Sequence, residues 1–170
     1  DISESIYVHT EPKSPIDVKI QGGNIGNSSV TSIATAYTKD GVQLLSNVNQ
    51  VVSVDKLSRR PSPIPDWWRS KYAKSAENHS ALKVNRLEKA ENVEPFQMRV
   101  LRSDLDGYRH VNWSSYVRFS LDAIYHCVKN KSLTCLDDID RQGVKSMELL
   151  YSGECFDDDI LDVFVWGPQS

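Results

Sequence analysis

Ile16, Val18 and Ile20 alternate with polar neighbours, the period-two pattern of a half-buried strand. Val30 to Tyr37 is rich in β-branched and small residues, and Val42 to Val54 continues as a long strand-like run. In that run Val48, Gln50, Val52 and Val54 share one face. Asp40-Gly41 lies between the two runs and predicts a hairpin, because Gly accepts the positive φ that tight turns need. Gly22-Gly23 and Gly26 mark a turn or a close backbone approach. Residues Asp1 to Asp66 therefore read as antiparallel strands without a helix.

Arg59 to Trp68 is punctuation, since Pro61, Pro63 and Pro65 exclude helix and a central strand. Ser70 to Glu94 is polar, weakly periodic and rich in Ala, Lys, Glu and Asn, as in a linker with some helical content that ends before Pro95. Phe96 to Leu101 predicts a short strand. Beyond it, Val111, Trp113, Tyr116, Val117, Leu121, Ile124, Cys127 and Val128 fall mostly at the spacing of one helix face. Leu133 to Gly143 reads as a loop or short helical turn. Val144 to Tyr151 and Ile160 to Trp166 predict strands joined by the acidic turn Asp157-Asp158-Asp159. A long antiparallel sheet wrapped on one central helix joins these elements, an α+β fold. The expected division is 1–69 for a first set of strands, 70–94 for a polar linker and 95–170 for a strand, helix and further strands.

Composition narrows the function classes more than the fold. With 39% hydrophobic and 25% charged residues the 170-residue chain is an ordinary folding sequence. A net charge of −3, with basic residues scattered apart from Arg59-Arg60, carries no field that recruits nucleic acid or an anionic membrane. No apolar stretch reaches the roughly 18–20 residues of a bilayer span. Cys127, Cys135 and Cys155 are an odd number without metal-ligand spacing, which points to free thiols in a reducing compartment, cytoplasmic or organellar. The Asn-x-Ser triplets at Asn27, Asn78, Asn112 and Asn130 are read as unmodified, without a secretion signal. No glycine-rich phosphate loop and no His/Cys cluster is present, so no cofactor and no metal are expected.

The densest chemistry is Ser103-Asp104-Leu105-Asp106-Gly107-Tyr108-Arg109-His110-Val111-Asn112. Two carboxylates and a histidine lie in a polar turn between a strand and a helix. Capping alone accounts for an Asp there. Asp104 and Asn112 suit side-chain–backbone bracing of the turn. Cys155 suits a buried structural role better than a nucleophilic one, because a reactive thiolate needs an activating environment. Cys127 falls on the apolar helix face, and Trp67-Trp68 suits packing. His9, His79 and His126 have no partner spacing.

The run Asp-Leu-Asp-x-x-x-His-Val-Asn, followed by Tyr116 on a helix and by Tyr151-Ser152-Gly153-Glu154-Cys155, resembles the acyl-ACP thioesterases of the hotdog fold. The first half is similar to the same family's N-terminal hotdog through Gly26-Asn27-Ser28-Ser29-Val30, the Asp40-Gly41 hairpin and Val54-Asp55 to Pro65. The resemblance implies a tandem hotdog truncated at both ends: the last strands of a first repeat and the early part of a second. It implies hydrolysis of fatty acyl thioesters, on acyl-ACP or acyl-CoA. Asp106 and Glu154 would activate water and His110 would orient. Tyr108, Arg109, Val111, Asn112 and Trp113 would bind substrate, with helix N-terminal amides from Arg109 to Trp113 polarising the carbonyl. Two positions depart from the pattern: Tyr108 stands where plant enzymes have Asn, and Arg109 where many bacterial relatives have Gly.

Two other readings compete, a non-catalytic acyl-binding or scaffolding remnant and another hotdog enzyme such as a hydroxyacyl dehydratase. The Tyr-x-x-Glu-Cys run argues against the dehydratase. A cut hotdog exposes sheet edges, which predicts a homodimer or poor solubility.

Overall fold

A computed structural model describes residues 1–9, 15–76, 79–133, 139 and 143–167. Cys135, Asn78 and most of the stretch 133–143 expected to be a loop lie outside the described residues. The chain divides into two compact units. One is Asp1–Val84 with Val144–Glu148; the other is Asn85–Gly143 with Leu149–Ser170.

The first unit holds β1 (Ile16–Ile25), β2 (Ser29–Thr38) and β3 (Gln43–Val52), an antiparallel sheet in that order. The expected hairpin is present: Gly41 turns at φ +83° and its N–H donates to Thr38. Gly26 closes the β1–β2 turn on Ser29. Gly23 is a close approach, since a Cβ there would collide with the Thr31 side chain.

The expectation of no helix before Asp66 is corrected by the short α1 at Ser5–His9, while α2 at Asp66–Ala76 runs into the stretch from Ser70 that was expected to have some helical content. Helix α2 begins immediately after Pro65. The prolines bar helix only before and among themselves, and the first helical amides need no partner there. Arg69 donates to the Gly26 carbonyl at 2.9 Å, and Ser75 lies where only Gly22 leaves room, so α2 rests on β1. Trp68 stacks on Tyr72 at 4.4 Å, whereas Trp67 is exposed. Leu44, Thr31, Thr35 and Ile64 are buried. Ile16, Val18 and Ile20 alternate as expected, but that face is exposed, as are Val48, Val51 and Val52. Periodicity marks a face suited to burial and does not supply what covers it.

The second unit pairs β4 (Phe96–Arg99) with β5 (Ile160–Val163), antiparallel, against α3 (Trp113–Lys129). Val100, Val111 and Phe119 form its core, with Met98, Leu105, Tyr116, Cys155 and Leu161 packed around them. On α3 the fully buried positions are Phe119 and Ala123, between the apolar residues that the spacing singles out. Val144 to Tyr151 is not a strand: no ladder partner pairs with it among the described residues. Antiparallel pairing is thus divided between a three-stranded and a two-stranded sheet. No helix among the described residues is long and apolar enough to cross a membrane.

Candidate active site

The polar turn is built from the buried carboxylate of Asp104, only 4% exposed. It closes the 3-10 turn Arg102–Asp104 by accepting the Leu101 N–H at 2.9 Å. Its other oxygen accepts from the guanidinium of Arg118, which reaches back to the turn from α3. Arg118 also pairs with Asp122 at 3.1 Å. The Asp104 carbonyl accepts from the Asn112 N–H at 2.7 Å and the Ser115 hydroxyl at 3.2 Å. Asn112 in turn is the N-cap of α3, its side chain accepting the Ser114 N–H at 3.0 Å. The bracing roles expected of Asp104 and Asn112 are realised. Arg118, to which the sequence reading gave no role, completes the brace; a cation at helical spacing behind an acidic turn is the signal that could have found it.

Within this frame Asp106 Oδ1 accepts the N–H groups of Tyr108 at 2.8 Å and His110 at 3.2 Å. Its Oδ2 has no hydrogen-bond partner among the described residues. His110 Nδ1 lies 3.6 Å from Glu154 Oε1, with side chains 26% and 47% exposed. The Phe156 ring meets the imidazole edge-on at 5.3 Å. The three residues expected to carry chemistry are thereby brought together through His110. Glu154 is not on a strand; it belongs to an irregular run tied down by the Val111 N–H, which donates to the Cys155 carbonyl at 2.9 Å.

The expected substrate-binding residues separate. Tyr108 is 83% exposed, and Arg109 is exposed with φ +67°, a left-handed conformation that favours Gly. The Val111 side chain is buried in the core. Asn112 directs its side chain into the cap, while Trp113 is exposed.

The amides of 109–112 are corrected as carbonyl donors. Arg109 donates to the Asp106 carbonyl, His110 to its carboxylate, Val111 to Cys155 and Asn112 to Asp104. A turn this tight consumes its own N–H groups. In that segment Trp113 alone keeps an N–H without a partner among the described residues.

Tyr116 and Tyr151 meet at 5.5 Å in a T-shaped contact. Burial, then the neighbouring Cys155 thiol, hold the Tyr116 hydroxyl protonated far above its usual range. Burial also raises Tyr151. The Tyr116 ring continues into a groove of about 480 Å³ walled by Phe119, Leu87, Ile160, Phe164 and Trp166. Among the described residues no group of three metal-ligating side chains converges.

Residues 86–167 match the family model of the acyl-ACP thioesterase C-terminal domain. Every element of the site lies inside that range. Two solved structures are similar. One is the 12:0-ACP thioesterase from Umbellularia californica, 23% identical over 64% of this chain and 45% of that one, with a TM-score of 0.50. The other is an acyl-ACP thioesterase from Bacteroides thetaiotaomicron, 20% identical over 63% of this chain and 43% of that one, with a TM-score of 0.51. The chain therefore spans less than half the length of either. At these identities the likeness concerns the fold, and it agrees with the α+β hotdog class expected from the sequence. No curated protein sequence matches the chain.

Proposed function

We propose that this chain carries the catalytic segment of a fatty acyl thioester hydrolase. The observation that carries the reading is the convergence of Asp106, His110 and Glu154 at one turn. A thioester needs a base for water and a stabiliser for the carbonyl oxygen. Glu154 and Asp106 are the carboxylates that would serve as base: Asp106 accepts the His110 backbone N–H and Glu154 faces the imidazole. Water loses a proton to a carboxylate as its oxygen bonds to the carbonyl carbon. The C–S bond then breaks, and the departing thiolate takes a proton. General base catalysis of this kind contributes typically about 10²–10⁴-fold. With 109–112 engaged, the Trp113 N–H at the positive end of α3 is the amide that remains for the oxyanion.

The apolar groove beside Tyr116 suits an aliphatic chain, and acyl-ACP or acyl-CoA is the substrate class. Association through the exposed β1 edge would give a homodimer. A second reading, acyl binding without turnover, is favoured by the internal use of the 109–112 amides.

Thiol release from a panel of acyl-ACPs and acyl-CoAs tests the proposal. Asp106→Asn/Glu154→Gln keeps the Oδ1 cap and removes both charges. Turnover at least about 100-fold above this variant is expected. Equal rates would leave binding as the function.

A further inference from the structure

Glu154 has no strand to hold it. Gly153 before it stands in open space, where even a Cβ would meet nothing within 4 Å, and Ser152 is exposed. Downstream, Cys155 is pinned by the Val111 N–H and by the core. Upstream, the nearest tether is Tyr151. Its hydroxyl donates to the Trp113 carbonyl at 2.9 Å, and its ring packs edge-on against Tyr116. Trp113 is the first residue of α3, immediately after the turn that carries His110. Two anchors, three residues before Glu154 and one after it, therefore bind the irregular run to the element that positions the histidine.

We propose that Tyr151 is a positioning residue: its hydroxyl latch on the Trp113 carbonyl holds Glu154 against His110. The latch rests on the reading of Glu154 and His110 as the working pair, but it makes a physical claim of its own. An α-helix needs no partner for the carbonyl of its first residue beyond the intrahelical one. The hydrogen bond from Tyr151 is thus an addition whose effect falls on the 149–155 run. Removing it loosens the upstream end, where the ring contact with Tyr116 remains, while downstream Cys155 stays tied to Val111 and the core.

Tyr151→Phe deletes the hydroxyl and keeps the ring against Tyr116. Amide hydrogen exchange on the full chain reads the latch without any activity. The Val111 amide, which depends on the run, should exchange about three- to tenfold faster, the size of one lost hydrogen bond. The Asn112 amide, which depends on Asp104 within the turn itself, should not change. An unchanged Val111 amide, or equal acceleration of both, overturns the latch.

Thioester turnover reads its consequence. In wild type, Tyr151→Phe should lower kcat by about tenfold with KM unchanged, as expected when a base loses its geometry. In a Glu154→Gln background it should have no further effect. An equal loss in both backgrounds overturns the positioning role. If wild type turns over no thioester, the proposed function fails, and the exchange result still decides the latch.

Discussion

The brace under the site makes an asymmetric demand that mutation can measure. Asp104 is buried and Arg118 is about half exposed, so the two ends of one ion pair sit in different surroundings. Asp104→Asn removes the charge but keeps an oxygen for the Leu101 N–H, and it leaves Arg118 in water beside Asp122. The loss is then one charge-assisted hydrogen bond, about 1.5–3 kcal/mol. Arg118→Met keeps an aliphatic stem over Phe119 and strands a carboxylate in the interior, a change that costs about 3–5 kcal/mol. The double variant should cost less than the sum, because the stranded charge is gone. Urea denaturation at pH 7 measures all three, with unchanged m values required for the comparison. If Asp104→Asn proves as costly as Arg118→Met, the brace is not a buried carboxylate held by its cation, and the reasoning fails.

The α3 N-cap and the paired tyrosines give two further expectations. Asn112→Ala should destabilise by about 1 kcal/mol while Asn112→Ser restores most of it, by the same denaturation assay. Tyr116 and Tyr151 have raised pKa values, so the folded state keeps protons that the unfolded chain releases near pH 10. Their contribution is complete below pH 10 and is lost as pH rises from there toward the folded pKa values. Stability between pH 8 and 11.5 should therefore fall less in Tyr116→Phe than in wild type, and an identical slope would contradict it.

The site was legible to different depths. Asp106, His110 and Asn112 fall within seven residues, and a turn before a helix brings such neighbours together without help from the rest of the chain. Glu154 was legible only through the Tyr-x-x-Glu-Cys resemblance, and its partner His110 lies more than forty residues away. Arg118 was not singled out, and Tyr151 entered only as a letter of that motif, because the contacts that give them their roles, to Asp104 and to Trp113, are long-range and no local period encodes them. The amides of 109–112 were misjudged for a related reason. A helix start offers free N–H groups in general, and only the folded turn shows that Asp106, Asp104 and Cys155 already accept them.

By itself the sequence determined what short-range physics controls. The hairpin at Gly41, the start of α3 at its Asn112 cap and the polar turn before it follow from backbone conformations and capping available to neighbouring residues. Tertiary structure alone decided which apolar faces are buried, whether Val144 to Tyr151 finds a strand partner, and how Glu154 reaches His110. Those outcomes depend on what lies opposite each segment in space. A period of two or 3.6 specifies a face, and the opposing surface comes from residues far along the chain.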